Sequence, residues 1–188
     1  MTLLLADCSD EELTSLALAG RQTAYTELMR RHRDWVYRLV RSQIGATDEA
    51  LDVTQTIFVA AFAALRRFEP TRVFRLWLAR IALNKCNDWH RRRKVRKLLA
   101  FAAPLEDAEN IADAQPDAEA RVAGADELSH VMAAIAQLPR SLREPLVLRT
   151  IDERSQAATA QILGISEKAV ESRVYRARLR LQEKFKGI

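Results

Sequence analysis

The sequence predicts an all-α protein in which two small helical bundles are joined by a flexible acidic linker. Three observations support this fold class. Only five Gly and five Pro occur in 188 residues, strong helix formers such as Ala, Leu, Arg and Glu are abundant, and apolar residues recur at helical spacing rather than alternating. Composition and helix breaks place the first domain at 1–97, the linker at 98–126 and the second domain at 127–188.

Charge is distributed unevenly along the chain. Residues 1–97 carry 18 Lys and Arg against 11 Asp and Glu, residues 98–129 carry one basic residue against eight acidic ones, and residues 130–188 carry 11 against six. Two basic bodies therefore flank an acidic connector. This layout favours a protein that contacts a polyanion with both ends.

Several protein classes are disfavoured by composition. The chain has no run of about 18 uncharged apolar residues and no signal peptide pattern, so we expect a soluble, cytoplasmic protein. Cys8 and Cys86 lie far apart, which predicts reduced thiols without a structural role. An enzyme is disfavoured because the glycines are dispersed and the histidines show no metal or triad spacing. The histidines are His32, His90 and His130.

The first two helices have marked ends. Ser9 and Glu12 form a capping box for a short helix that Gly20 closes. A longer helix follows over about residues 23–43, and Gly45 stops it. Its buried side is expected to hold Ala24, Leu28, Trp35, Val36, Leu39 and Val40.

A third helix, capped by Thr47 and ended before Pro70, has separate apolar and polar faces. The apolar face consists of Val53, Ile57, Ala60, Ala61 and Ala64. The polar face consists of Asp48, Asp52, Gln55 and Thr56. An i, i+4 carboxylate pair such as Asp48 and Asp52 is more often a solvated or partner-facing surface than a catalytic pair.

Aromatic and basic residues alternate in the predicted helix that begins at Phe74. Leu78, Ile81 and Ala82 are expected in its core. The other side chains offer rings, amides and cations, the mixture that holds unstacked bases and their backbone. They are Phe74, Arg75, Trp77, Arg80, Asn84, Lys85, Asn87, Trp89 and Arg91. For Trp77, a place in the core is the open alternative.

The second domain begins with a helix that ends at Pro139. Val131, Ile135 and Leu138 form its apolar side. Ser141 and Glu144 form a capping box for the next helix, which places Pro145 in the first turn, where its missing N–H has no helical partner.

A helix-turn-helix follows. Ser155 caps a short helix that Gly164 ends, and Ser166 caps a longer basic helix. Its apolar stripe consists of Val170, Val174, Ala177 and Leu181, and its polar side of Lys168, Glu171, Ser172, Arg173, Arg176 and Arg180. A three-residue turn, a capped second helix and clustered arginines favour entry into a DNA major groove. The alternative is an ordinary helical hairpin with a solvated basic face.

With these motifs the chain resembles the extracytoplasmic-function, or group IV, sigma factors of bacteria. The first half contains YTELMRRHRDWVYRLV, DEALDVTQTIFVAAFAAL and FRLWLARIALNKCNDWHRRR, which are similar to sigma region 2. The second half contains LPRSLREPLVLR and ILGISEKAVESRVYRARLRL, which are similar to region 4. The resemblance implies a non-catalytic subunit without a cofactor that binds core RNA polymerase, recognises promoter DNA and helps to open it.

The resemblance also implies three sets of site residues. Core RNA polymerase would contact Asp48, Asp52, Gln55 and Thr56. The minus-ten element would contact the loop Glu69–Val73 and Phe74, Arg75, Trp77, Arg80, Asn84 and Arg91. The minus-35 element would contact Ser166, Lys168, Glu171, Ser172, Arg173 and Arg176. The resemblance further implies an anti-sigma factor that clamps both domains, a stress or envelope-response regulon, no membrane insertion and a monomer when free.

The chain departs from the family pattern in four places. Thr56 stands where an acidic residue is usual, the loop Glu69–Val73 lacks the usual glycine and serines, Glu171 stands where lysine is frequent, and Thr159 and Ala160 replace a common isoleucine pair. The departures at Thr56 and Glu171 keep an alternative open, a sigma-like adaptor that binds a regulator or polymerase without reading DNA. A stand-alone helix-turn-helix repressor would leave the first half of the chain unexplained.

Overall fold

The computed structural model describes residues 4–45, 48–102 and 123–186, and the regular secondary structure in these ranges is helical. The predicted all-α fold class is therefore confirmed. The α-helices in the described ranges are α1 (Asp10–Leu18), α2 (Gln22–Ile44), α3 (Asp48–Ala64), α4 (Phe74–Ala102), α5 (Ala123–Gln137), α6 (Arg140–Thr150), α7 (Gln156–Leu163) and α8 (Glu167–Phe185). Short 3-10 helices at Leu5–Asp7 and Leu65–Arg67 precede α1 and follow α3.

Helices α1 to α4 form the first domain around α2, which contacts the other three. The apolar stripe of α2 predicted from its spacing is buried, including Trp35 at 6% exposure. Other buried side chains of this core are Leu28, Val36, Leu39 and Val40 of α2, Ile57, Phe58 and Ala61 of α3, and Phe74, Leu78 and Ala82 of α4. Burial of this apolar surface is the main favourable contribution to folding of the domain.

The helix ends of the first domain follow local sequence signals. Ser9 Oγ accepts from the Glu12 backbone N–H over 3.2 Å, and Glu12 Oε2 accepts from the Ser9 N–H over 2.7 Å, which confirms the predicted capping box. Gly45 ends α2 with φ +73°, a left-handed conformation that glycine adopts without a Cβ penalty. The predicted cap at Thr47 lies outside the described residues.

Helices α5 to α8 form the second domain, in which α6 and α7 pack on α8. Ser155 Oγ accepts from the Ala158 N–H over 3.1 Å, and Ser166 Oγ accepts from the Ala169 N–H over 3.2 Å. Gly164 ends α7 with φ +66°. The predicted helix-turn-helix and both of its N-caps are thus confirmed.

Helix extends into both ends of the predicted linker. Residues 98–102 continue α4, and residues 123–126 begin α5. The sequence LLAFA at the end of α4 is rich in helix formers, which explains the extension. Residues 103–122, for which flexibility was also predicted, lie outside the described residues.

The predicted Ser141–Glu144 capping box is wrong. Helix α6 begins at Arg140 after Pro139, without a side-chain cap, so Pro145 lies in its second turn rather than its first. Glu144 Oε1 instead accepts from Asn87 Nδ2 of α4 and from Arg140 Nε, each over 2.8 Å. Glu144 therefore bonds to a neighbour on its own helix and to a partner from the other domain instead of forming the local cap.

The two domains pack against each other in a closed arrangement. Helices α5 and α6 contact α2, and α7 contacts α4, so buried side chains of both domains form one continuous cluster. Cys8 and Cys86 are free thiols, and both are buried in this cluster. Burial raises the pKa of the Cys86 thiol to about 12, which makes it a poor nucleophile.

Candidate nucleic-acid interface

Helix α8 presents its predicted polar side to solvent. Val170 and Ala177 are fully buried against the domain core, and this contact fixes the rotation of the helix about its axis. Gln156 Nε2 of α7 donates to the Glu167 carbonyl over 3.0 Å and so ties the first turn of α8 to the preceding helix. Of the predicted minus-35 residues, Arg173 is half-buried and the others are exposed: Ser166, Lys168, Glu171, Ser172 and Arg176.

The exposed side of α8 combines cations with short hydrogen-bonding groups. Lys168, Ser172 and Arg176 follow at four-residue spacing and so lie along one side of the helix. Tyr175 is also exposed, at 63%, beside Arg176. No role is predicted for Tyr175 from the sequence, although its position three residues after Ser172 places it near this side. Such a surface can bond to phosphates and base edges in a major groove.

Helix α4 places four predicted minus-ten residues on one side. At 100° per residue, Trp77, Arg80, Asn84 and Arg91 lie within about 60° of one another around the helix axis. Arg80, Asn84 and Arg91 are exposed and Trp77 is half-buried. We call these four residues the outer face of α4. The loop at 69–73, which leads into the helix, is also exposed.

The other two predicted minus-ten residues do not lie on the outer face. Phe74 is 1% exposed and packs against Phe68 and Trp77, with ring centroids 5.5 and 5.6 Å away, so it supports Trp77 from the core. Arg75 lies about 160° around the helix from Trp77. Arg75 Nη2 donates over 3.1 Å to Asp152 of the second domain.

The environment of Arg75 differs from that of an exposed DNA-binding arginine. Its guanidinium carbon lies 4.7 Å from the centroid of the Trp35 ring, a cation–π distance. Burial, together with the nearby Arg154 cation, lowers the pKa of Arg75 from its usual value. The charge remains because arginine is a very weak acid, so this cation needs Asp152 as a partner.

A separate polar surface lies on α3. Asp48, Asp52, Gln55 and Thr56 are all exposed, and their spacing places them along one side of the helix. Thr56 Oγ1 donates to the Asp52 carbonyl over 2.9 Å. Leu51 and Val59, at 58% and 70% exposure, are large apolar residues exposed on the same helix. Exposed apolar residues beside carboxylates are typical of a protein-binding surface.

Two further properties concern the described ranges only. No group of three His, Cys, Asp or Glu side chains there could hold a metal ion. No helix in these ranges is both long enough and apolar enough to cross a bilayer.

Comparisons with known proteins agree with this architecture. The family model of sigma-70 region 2 matches residues 28–96, and that of sigma-70 region 4 matches residues 129–181. RNA polymerase sigma factor CnrH of Cupriavidus metallidurans is 40% identical over 176 residues, which cover 92% of each chain. The ECF RNA polymerase sigma factor SigM of Mycobacterium tuberculosis is 34% identical, over 92% of this chain and 83% of the relative.

Solved structures show the same fold. CnrH in complex with the cytosolic domain of CnrY aligns with a TM-score of 0.70 and 34% identity, over 95% of this chain and 97% of the other. The sigma factor RpoE in complex with the anti-sigma factor NepR from Bartonella quintana aligns with a TM-score of 0.66, over 86% and 96% of the two chains, at 23% identity.

The matches to sigma-70 region 2 in the first domain and region 4 in the second show a sigma-70 type transcription initiation factor. More narrowly, the chain belongs to the extracytoplasmic-function family of RNA polymerase sigma factors. It is an alternative sigma factor that directs transcription initiation, and the adaptor alternative is not favoured. Sigma factors are non-enzymatic initiation factors.

Proposed function

We propose that α8 reads the minus-35 element and that the outer face of α4 reads the minus-ten element of the promoter. The capped and exposed N-terminal half of α8 carries this proposal. Its core-facing residues fix the helix, and Lys168, Ser172 and Arg176 extend away from the domain. Ser166, Glu171 and Arg173 flank them. A carboxylate at Glu171 accepts from cytosine N4 but repels phosphate, so it favours particular bases.

The outer face of α4 suits unpaired bases better than duplex DNA. Trp77 offers part of a ring for stacking, Asn84 offers an amide for base edges, and Arg80 and Arg91 offer cations for phosphates. Stacking on an aromatic side chain contributes about 1–3 kcal/mol per base, enough to offset the few kcal/mol that a flipped base costs. Phe74 and Arg75 are left out of this proposed surface because neither lies on it.

The polar side of α3 is the proposed contact with core RNA polymerase. Asp48, Asp52, Gln55 and Thr56 make an uninterrupted exposed strip, with apolar Leu51 and Val59 also exposed on this helix. The strip carries negative charge in a basic domain, which favours a different partner from DNA. Thr56 in place of an acidic residue reduces that charge and should weaken the contact modestly.

We also propose that an anti-sigma factor inhibits this chain and that the protein acts without catalysis in the cytoplasm, where its polymerase works. Two related folds were solved with protein partners bound, CnrH with CnrY and RpoE with the anti-sigma factor NepR. The exposed α3 strip is a surface that such a regulator would have to cover in order to exclude polymerase.

In vitro transcription tests the proposal. Purified core polymerase and this protein are incubated with a pool of promoter fragments from its own genome, and the transcripts are sequenced. Specific new start sites that share two upstream elements are the expected result. Polymerase binding without any specific transcript would contradict the proposed DNA surfaces.

A further inference from the structure

The two domains meet at a buried carboxylate. Asp152 lies in the turn between α6 and α7, and its side chain is 1% exposed. Its Oδ1 accepts from Trp35 Nε1 of α2 and from Arg75 Nη2 of α4, and its Oδ2 accepts from Arg154 Nε over 2.6 Å. We call Trp35, Arg75, Asp152 and Arg154 the Asp152 cluster. Two of its members belong to each domain.

The turn around Asp152 is held by its backbone. The Asp152 N–H donates to the Val147 carbonyl over 3.1 Å, and the Arg154 N–H donates to the Leu148 carbonyl over 2.9 Å. Glu153 between them has φ +51°, an unfavourable conformation for a residue with a Cβ. The turn therefore presents Asp152 to the first domain in a fixed position.

Two further side-chain hydrogen bonds join the domains beside the continuous apolar cluster that both domains share. Arg143 Nε of α6 donates to Gln43 Oε1 over 2.9 Å, and Asn87 Nδ2 donates to Glu144 Oε1 over 2.8 Å. Polar groups regain bonds to water when such an interface opens, so a polar contact separates more readily than an apolar one.

Two buried side-chain donors, Gln43 Nε2 and Arg75 Nε, lack a hydrogen-bond partner among the described residues. A buried donor without an acceptor is unfavourable, and this cost is removed when the domains separate. The same arginine therefore both holds the domains together, through Asp152, and limits the strength of their contact.

The closed arrangement is too small to read a promoter. A compact chain of 188 residues has a radius of gyration of about 16 Å, which corresponds to a sphere roughly 40 Å across. By their names, minus-35 and minus-ten elements lie about 25 base pairs apart, roughly 85 Å along B-form DNA at 3.4 Å per base pair. The domains must separate before α8 and the outer face of α4 can bind both elements.

We propose that the Asp152 cluster holds the free protein in a closed, inactive state. The Asp152–Arg75 and Asp152–Trp35 bonds must break before the protein can bind both promoter elements. This inference rests on the proposed function for its biological meaning. Arg75 then belongs to the domain contact rather than to the DNA surface. The fraction of open protein sets the apparent affinity for the promoter complex.

Small-angle X-ray scattering of the full chain tests the closed state directly. Wild-type protein is expected to have a radius of gyration of about 16 Å. Asp152→Asn removes the charge at constant volume, and Trp35→Phe removes the indole donor from the other domain. In both variants the radius of gyration is expected to rise to about 20 Å or more. Asp34→Asn, at a carboxylate 79% exposed on α2, is the matched control and should stay at the wild-type value.

Transcription at limiting sigma concentration tests the consequence. Loss of one hydrogen bond to Asp152 should lower the sigma concentration that gives half-maximal transcription by about 2- to 10-fold in both variants, because more of the protein is open. A wild-type radius already above about 20 Å, or variants that leave the radius or the half-maximal concentration unchanged, would overturn the proposal. Absence of transcripts from every protein would count against the sigma assignment instead, while scattering would still report on the closed state. Minus-35 duplex binding, unchanged in Asp152→Asn, checks that the second domain remains folded.

Discussion

Arg80 and Arg75 are both arginines on helix α4, yet one faces solvent and the other faces the second domain. Arg80 is exposed beside Asn84 on the outer face. Arg75 is half-buried, contacts the Trp35 ring and donates to a carboxylate that solvent scarcely reaches. Under the proposed function, the same residue type serves DNA binding on one side of the helix and domain contact on the other. The role of each arginine is decided by the element that packs beside it.

The largest effect is expected on the exposed side of α8. Arg176→Ala should weaken binding of the polymerase complex to a minus-35 duplex by about 1–3 kcal/mol, or roughly 5- to 150-fold, because a cation at a base edge or phosphate is lost. Fluorescence anisotropy with labelled duplex measures this loss. Arg178→Ala, on the same helix about 160° away, is the control. An equal loss in both variants would show that α8 binds by charge alone.

Two glycines with the same backbone conformation test the domain contact. At Gly45 a Cβ would lie 2.9 Å from Ala136 Cβ of α5, whereas at Gly164 it would meet nothing within 4 Å. Each Gly→Ala change costs about 1–2 kcal/mol for the left-handed backbone, but only Gly45→Ala also forces the domains apart. We expect a melting temperature lower by about 2–4 °C more in Gly45→Ala, together with a larger radius of gyration. Identical behaviour of the two variants would mean that α5 does not press on Gly45.

The outer face of α4 is tested by Asn84→Ala. Loss of one amide contact should reduce promoter opening by about 2- to 10-fold, since a hydrogen bond contributes about 0.5–1.5 kcal/mol. Permanganate reactivity of unpaired thymines measures opening, and binding to closed duplex serves as the internal control. A template whose minus-ten segment is already unpaired should recover part of the loss. Normal promoter opening by Asn84→Ala would show that Asn84 does not take part in the proposed DNA contact of the outer face.

The smallest expected effect is a pH dependence at the domain contact. Burial and the nearby Arg143 cation lower the pKa of His90 to about 4, while His90 Nε2 bonds to the Gln43 carbonyl. Between pH 6.5 and 4 the unfolded chain binds a proton that the folded chain does not, so stability falls as pH falls through this window. His90→Gln keeps a donor without this titration. Its melting temperature should therefore drop less from pH 7 to pH 5 than that of the wild type, and an equal drop would exclude His90 as the cause.

Features that depend on neighbouring residues in sequence were predictable. The caps at Ser9, Ser155 and Ser166 and the left-handed turn at Gly164 follow from local hydrogen bonding and backbone preference. The exposed side of α8 follows from helical periodicity. These signals lie within one turn of helix, so no knowledge of the tertiary contacts was needed.

Features that depend on the other domain were not predictable. The capping box predicted at Ser141 does not form: α6 begins at Arg140, and Glu144 bonds both to Arg140 and to Asn87, which is far away in sequence. Arg75 is predicted among the minus-ten residues because residue type and proximity in sequence do not reveal Asp152 on the opposite side of α4. Neither periodicity nor composition carries information about which helix of a second domain packs where.

One pair of variants separates the two sides of α4 most directly. Arg75→Gln and Arg80→Gln make the same change in charge five residues apart, and each is assayed for the sigma concentration that gives half-maximal transcription. We expect opposite signs: Arg75→Gln lowers this concentration because it releases the domains, and Arg80→Gln raises it because it weakens contact with DNA. A rise in both variants would contradict the closed state held by Asp152 and return Arg75 to the promoter-binding surface.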